Sequence, residues 1–496
     1  MTRVKKEETV NILLIVASVM VVLIIRCQSM LGDSDFFWHI TLGRDILMNG
    51  KIPVEDTYSW LSSEYGLVET AHSWLSSICL YLSTVPFSGV DVYGAVLFAV
   101  VTYTLFQGTV YCLFIRRING EVQKSIATII SIFAGFFLYE NARPQNIGYI
   151  LFVIAMHLLI KIYESGSVKD MLLMPLVSVC WANFHGGSLP MLFAFNSLFL
   201  VLTLVPDFEA GKVYLKCENR KRVRKTLIGA LGLNVLAGLL NPYGVSLFTY
   251  FFVTNNAVTK KYVAEWQCGG ILSLSSIFSL LCFGYLFMIA KNKYPLYKLM
   301  PLVITFLLSG VHVRIGCYSY IFVIILMCEE LSQVKTEGGK GISLVPTAII
   351  TAVIAVSAVA TMSGAAGDLE VRNSNLISNG LKSYLSENKF SRMYNVYDAG
   401  GFLIYEGYQS FVDSRADLFT DQILEDSFAI EYLKYSDAVQ VRDVFRTYRF
   451  DSLLIMKCDG VKPLMCYLSL QDDWEIGYED EEWLVYIPSV KRRVEL

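Results

Sequence analysis

The sequence predicts an α-helical polytopic membrane protein of about eleven transmembrane helices, followed by a small C-terminal extracytoplasmic α/β domain. Three observations predict it. The 496 residues are 54% hydrophobic with a mean hydropathy of +0.49, too apolar for a water-soluble core, because large soluble cores split into domains instead of growing. Apolar runs near the roughly 17 to 25 residues needed to cross hydrocarbon recur through the first three quarters of the chain. The last quarter lacks them, and charge separates at Gly367: residues 368–496 hold 14 Lys and Arg against 23 Asp and Glu, leaving 27 against 21 before it. The chain therefore divides into a membrane domain, 1–367, with a first external loop at 27–90, and an acidic domain, 368–496.

Membrane helices are expected near residues 11–26, 91–115, 124–139, 145–162, 170–184, 188–206, 226–240, 271–290, 297–311, 315–331 and 343–361. The first follows Arg3, Lys5 and Lys6 like a signal peptide, but no small-residue cleavage site follows it, so it reads as retained. The segment His72 to Pro86 is apolar yet short and rich in serine, which suits an interfacial helix that does not cross. Charge supports that choice, because cytoplasmic loops should be rich in Lys and Arg. With a non-crossing segment, only Arg26, Arg44, Lys51, Arg143, Lys260, Lys261 and Arg314 of the 27 basic residues lie outside. The N-terminus is then cytoplasmic and the tail extracytoplasmic. The basic run Lys212 to Lys225 is topology signal and implies no nucleic-acid partner.

The tail alternates strand patterns, Met393 to Tyr397, Ser410 to Asp413, Ser452 to Met456, Trp474 to Tyr478 and Trp483 to Ile487, with helical ones near Gln422 to Lys434 and Ala438 to Tyr448. This is an α/β layer pattern. No Gly-rich phosphate fingerprint or nucleophile elbow occurs. The 11 cysteines show no paired metal-binding spacing, and most lie in apolar segments. Asp413-Ser-Arg415 reads either as a local ion pair or as a ligand contact.

The outer loops hold four of the five histidines and most of the groups able to do acid, base or metal chemistry. If Asp35 to Met48 is helical, Asp35 and His39 share a face at four-residue spacing, with Asp33 just before them. Ionisable groups near hydrocarbon are costly, so two acids and a histidine at a helix end point to function. Asp33, Asp35 and His39 are the catalytic candidates. His72, Glu140, Arg143, His185, Glu265, His312 and Arg314 are candidates for binding substrate. Arg143 and Arg314 lie outside against the charge bias, so each needs an anion, either Glu140 or Glu265 or a phosphate. His157, inside the fourth span, reads as a packed core histidine. Asn241-Pro242-Tyr243-Gly244 reads as a structural turn.

The pattern Asp33-x-Asp35-Phe-x-Trp38-His39, Gly50-x-Ile-Pro53-x-x-Asp56-x-Tyr-Ser59, His72-Ser-Trp74-Leu, Arg143-Pro-Gln145, Trp181-Ala-Asn183-x-His185-Gly, Asn241-Pro-Tyr-Gly244 and Gly400-Gly-Phe-Leu resembles GT-C-like bacterial membrane proteins over nearly the whole chain. That class includes the polyprenyl-phosphate-dependent protein O-mannosyltransferases and aminoarabinose transferases. The resemblance implies a GT-C-like membrane domain and an inverting hexosyl or pentosyl transfer, outside the membrane, from a polyprenyl-phosphate-linked sugar to a glycan, lipid or protein acceptor. Two departures stand out. A serine separates Asp33 from Asp35 where the O-mannosyltransferases have adjacent Asp-Glu, which leaves open which acid is the base. The tail also lacks the Trp-Trp-Asp motif of oligosaccharyltransferases, which argues against whole-oligosaccharide transfer to asparagine. A divalent metal held by Asp35, His39 and either His72 or His185 is an alternative means of stabilising the leaving phosphate. A glycan ligase or polymerase, or a non-catalytic lipid or glycan transporter or assembly protein, are the other readings.

Overall fold

The computed structural model describes residues 3–29, 33–87, 91–139, 141–253, 257–263, 266–267, 273–334, 377–433 and 438–489. Glu140, Glu265, the expected span at 343–361 and the boundary at Gly367 lie outside them. The chain forms two compact units. One comprises Met1–Met30, Ala95–Phe251 and Val263–Ala366, and the other Leu31–Gly94, Phe252–Tyr262 and Gly367–Leu496. The loop after the first helix thus belongs to the same unit as the tail.

Among the described residues, four helices are long and apolar enough to cross a membrane by length and composition: Asp91–Arg117, Glu121–Leu138, Gln145–Ser165 and Val313–Gln333. Several other expected spans are shorter apolar helices, such as Leu274–Ile289 and Leu296–Ser309. In the first unit Phe152 centres an aromatic core, its ring 4.7 Å from Tyr318, 5.4 Å from Phe195 and Phe322, and 6.0 Å from Trp181. Tyr149 meets Tyr318 and Phe152 meets Phe322, so the Gln145–Ser165 and Val313–Gln333 helices run in the same direction.

The basic run departs most from its reading as a loop. Its second half opens the helix Arg220–Gly238, and Lys212 sits beside the strand Val213–Leu215, which pairs with Phe208–Ala210 and Tyr294–Pro295. The cations here close helix ends. Arg220 and Arg224 each donate to the Thr203 carbonyl at 2.9 Å, just past the helix Pro190–Leu202. Lys212 donates to the carbonyls of Leu286 at 3.2 Å and Phe287 at 2.9 Å. Terminal carbonyls lack intrahelical donors and carry partial negative charge, so lysine and arginine are favoured there.

In the second unit, the helix Ser34–Asn49 packs against Trp74–Thr84. The approach is close because Gly43 lies against the Ser77 backbone carbonyl, where a methyl group would overlap it. The 11-residue Trp74–Thr84 helix rises about 16 Å, well short of a hydrocarbon core of about 30 Å. The tail forms a four-stranded sheet in the spatial order Met393–Asn395, Ser452–Met456, Trp483–Pro488, Trp474–Glu479. The first pair is parallel and the others antiparallel. A parallel pair needs a long crossover, here carrying the helices Asp421–Glu431 and Ala438–Tyr448.

No strand forms at Ser410 to Asp413; Ser410 makes a single parallel bridge with Ser59. Beside it Trp60, 6% exposed, donates its indole N–H to the Met393 carbonyl at 3.0 Å and stacks on Phe411. An indole placed there is a core anchor for the unit.

Candidate functional site

The catalytic candidates converge on the start of the Ser34–Asn49 helix. Asp33 is its N-cap, in extended conformation, and its carboxylate accepts the Asp35 N–H at 3.2 Å. Acidic groups at a helix N-terminus satisfy free backbone donors and are favoured by the helix dipole. His39 lies one turn beyond Asp35, buried, with Nδ1 2.8 Å from Ser77 Oγ and its ring stacked on Trp38. His72 is half-buried just ahead of the Trp74–Thr84 helix.

A second group, from the tail, lies within electrostatic reach of Asp35. Burial, and then the charges of Asp35, Asp413, Asp398 and Asp417, hold the Tyr397 hydroxyl well above its usual pKa, so it remains a neutral O–H. The Gly400–Tyr405 helix follows, and Gly401 lies so close to the Ser34 carbonyl that any side chain would collide. Phe37 packs on Phe402 at 5.2 Å and on Tyr405 at 5.3 Å. The glycine pair and these rings thus hold Tyr397 near the acidic helix start.

Arg415 is the centre of a buried ionic cluster that ties loop to tail within this unit. Its Nε and Nη2 fork onto Asp413 at 2.8 and 2.7 Å, while Nη1 reaches Asp56 at 2.5 Å and Glu69 at 2.6 Å. The side chains are at most 7% exposed. Burial pushes the Glu69 carboxyl up to about 7, against the lowering effect of Arg415. Asp56 also pays a burial penalty, but Arg415, Ser62 and the Ser59 N–H outweigh it and hold its pKa below the usual value. The local reading of Asp413-Ser-Arg415 as an ion pair therefore holds, whereas Glu69 carried no signal in the sequence. Trp38 lies under the guanidinium at 5.9 Å, and its buried indole N–H has no acceptor among the described residues.

The remaining candidates lie in the first unit. His185 ends the Val168–Phe184 helix, with Nδ1 2.6 Å from Ser188 Oγ, which also accepts the Trp181 indole N–H at 2.8 Å. Gly148 leaves room for that imidazole, since a methyl there would approach its Nδ1 to 2.9 Å. Arg143 lies in the turn before Gln145–Ser165, pinned by the Asn146 side chain donating to the Asn141 carbonyl at 2.9 Å. His312 is the N-cap of Val313–Gln333, its Nδ1 3.1 Å from the Trp266 carbonyl, and the Arg314 guanidinium lies 5.6 Å from the Trp266 ring. Asn183 ties two helices, donating to the carbonyls of Val179 at 2.8 Å and Leu240 at 2.9 Å. Asn241 forms the expected turn, accepting the Tyr243 N–H at 2.8 Å.

Among the described residues, no group of three or more His, Cys, Asp or Glu is arranged to hold a metal ion. Asp35 and His39 with either His72 or His185 thus form no such group, and His39 Nδ1 lies 2.8 Å from Ser77 Oγ.

The fold is shared with a solved membrane-enzyme structure. The chain is similar to the archaeal oligosaccharyltransferase AglB from Archaeoglobus fulgidus, in complex with an inhibitory peptide and a dolichol-phosphate. The TM-score is 0.53 at 10% identity, covering 99% of this chain and 75% of that one. ArnT from Cupriavidus metallidurans, bound to undecaprenyl phosphate, gives 0.49 at 11% identity, with 96% and 97% covered. At such identities the likeness is one of fold. No family model matches the sequence, and no curated protein matches it.

Proposed function

We propose that this membrane protein transfers a sugar from a polyprenyl-phosphate donor to an acceptor hydroxyl, with inversion at the anomeric carbon. The observation that carries the reading is the pair of acids at the start of the Ser34–Asn49 helix, with Tyr397 within electrostatic reach of Asp35. The fold shared with a structure in complex with dolichol-phosphate supports a lipid-linked donor.

Asp33 is committed to capping the helix, so Asp35 is the better candidate for the base. In the proposed step Asp35 takes the proton of the acceptor hydroxyl as its oxygen attacks the anomeric carbon. The bond from that carbon to the phosphate oxygen breaks, and the lipid phosphate leaves with the electron pair. Arg143 and Arg314 are the proposed phosphate partners, because guanidinium groups recognise phosphate by two-point hydrogen bonding.

The test is transfer of radiolabelled sugar from polyprenyl phosphate by purified wild type and Asp35→Asn. Loss of a general base typically lowers rate by about 10² to 10⁴, and full activity in the variant would reject Asp35. Lipid-phosphate binding by Arg143→Lys and Arg314→Lys is measured separately with thermal stability. Weaker binding at unchanged stability supports the phosphate role; unchanged binding with lowered stability assigns these arginines to structural pairing.

A further inference from the structure

The first unit contains a cavity that the proposed transfer does not use. It has a volume of about 130 Å³ and is lined by Arg117, His157, Lys161, Glu164, Lys298 and Glu329 among others. A single buried water needs only about 10 to 15 Å³. The Gln145–Ser165 and Val313–Gln333 helices run in parallel from Arg143 and Arg314, and the cavity is built on their far ends. Each has 21 residues, a rise of about 31 Å, so the cavity lies at the end of the bundle opposite those arginines.

The charges around it are not equivalent. Lys298 is already balanced by Glu164 at 3.0 Å and Glu329 at 2.8 Å. Those carboxylates also accept other donors, Tyr297 on Glu164 at 2.9 Å and Gln333 on Glu329 at 3.0 Å. They are therefore satisfied within the protein and poorly placed to hold a cation. Arg117 is different. Among the described residues no carboxylate pairs with it, and its recorded side-chain contact is with His157 Nε2 at 3.4 Å. A guanidinium has five N–H donors, and the His157 contact uses one of them. Lys161 lies 3.9 Å from Asp170, beyond hydrogen-bonding distance. It follows His157 by four residues, and the two side chains share one helix face. His157 itself is 6% exposed and packs edge-on against Phe114 at 5.3 Å. This imidazole is packed, as its position in the span suggested, and it also forms part of the wall.

We propose that this cavity is a phosphate-binding site, with Arg117 and Lys161 as its cationic grip and His157 orienting the guanidinium. Basic pockets between membrane helices are suited to anionic lipid headgroups, because the charge lies beside the acyl region. A phosphate carried by such a lipid and free phosphate share the recognition chemistry.

The experiment uses the full chain purified in detergent, titrated separately with inorganic phosphate and with short-chain phosphatidylglycerol in mixed micelles. Binding is read by thermal shift and, for the lipid, by native mass spectrometry. Wild type should bind at least one probe, and Arg117→Gln should weaken that binding about tenfold or more, since charge-assisted hydrogen bonds are lost. Lys161→Gln should weaken it as well, and Arg117→Lys should retain part of it. Binding of lipid alone assigns the site to a headgroup, and binding of inorganic phosphate assigns it to a soluble anion; either supports the proposal. Lack of binding by both probes, or equal binding by wild type, Arg117→Gln and Lys161→Gln, overturns it. Both variants alter exposed or half-exposed cations at the end of the bundle opposite Arg143 and Arg314, so sugar transfer by them should match wild type.

Discussion

Arg415 Nη1 donates to Glu69 Oε2 at 2.6 Å while sharing the same nitrogen with Asp56. One guanidinium thus answers three buried carboxylates, two from the first loop and one, Asp413, from the tail. Removing it leaves acids buried without a counter-charge, and breaking a buried ion pair from one side typically costs about 3 to 5 kcal/mol. Arg415→Met should therefore lower the thermal stability of the protein sharply and expose the loop to protease. Arg415→Lys should rescue little, because an ammonium cannot fork onto Asp413. Wild-type stability in both variants would show that the cluster contributes nothing.

Glu69 makes the same cluster sensitive to pH. Its carboxyl is pushed up to about 7 in the folded chain by burial, against about 4.3 for a free glutamate. Between those values the folded form keeps a proton that the unfolded chain releases, so stability is greatest below the window and falls as pH rises through it. Glu431, also raised to about 7 by burial, acts in the same sense. The melting temperature should rise as pH is lowered from about 7.5 to about 5. Glu69→Gln, which mimics the protonated acid, should remove its share and leave that of Glu431. A profile that is flat in wild type, or unchanged by Glu69→Gln, contradicts this assignment.

Asp33 and Asp35 should separate on substitution. Asparagine caps a helix about as well as aspartate, so Asp33→Asn should leave stability near wild type, whereas Asp33→Ala should cost about 0.5 to 2 kcal/mol. Asp35→Asn should lower transfer by about 10² to 10⁴ with little effect on folding. Circular dichroism melts alongside the transfer assay distinguish the two, and full loss of activity in Asp33→Asn alone would move the base to Asp33.

The Gly401 approach offers a test of positioning. Gly401→Ala forces the Gly400–Tyr405 helix away from Ser34, and overpacking of this kind typically costs about 1 to 3 kcal/mol. Tyr397→Phe keeps the packing and removes only the hydroxyl. If Tyr397 acts on substrate, the phenylalanine variant should lose transfer while remaining stable; if it only packs, it should keep transfer.

Local patterns in the sequence were readable because they depend on neighbours. Four-residue spacing placed Asp35 and His39 on one helix, and the alternating tail segments match the strands Ser452–Met456 and Trp483–Pro488. Pairings between distant segments left no trace. Glu69 looks like any loop glutamate until the fold brings Arg415 to it, and the Ser77 partner of His39 lies on a helix of its own. The strand expected at Ser410 to Asp413 failed for the same reason: Asp413 is turned onto Arg415, leaving one bridge to Ser59. The basic run was read from charge alone, and charge does not reveal that Arg220 and Arg224 close a neighbouring helix.

The distance along the chain between Glu69 and Arg415 is 346 residues. At a synthesis rate of about 5 to 20 residues per second, the acids of the first loop emerge roughly 20 to 70 s before their guanidinium exists. Until then Asp56 and Glu69 are better left in water than buried, so the loop cannot complete its fold. A ribosome that stalls before residue 415 leaves a nascent chain whose earliest loop is still open. The segment made first is thus among the last to mature, and its closure reports that translation has reached the tail.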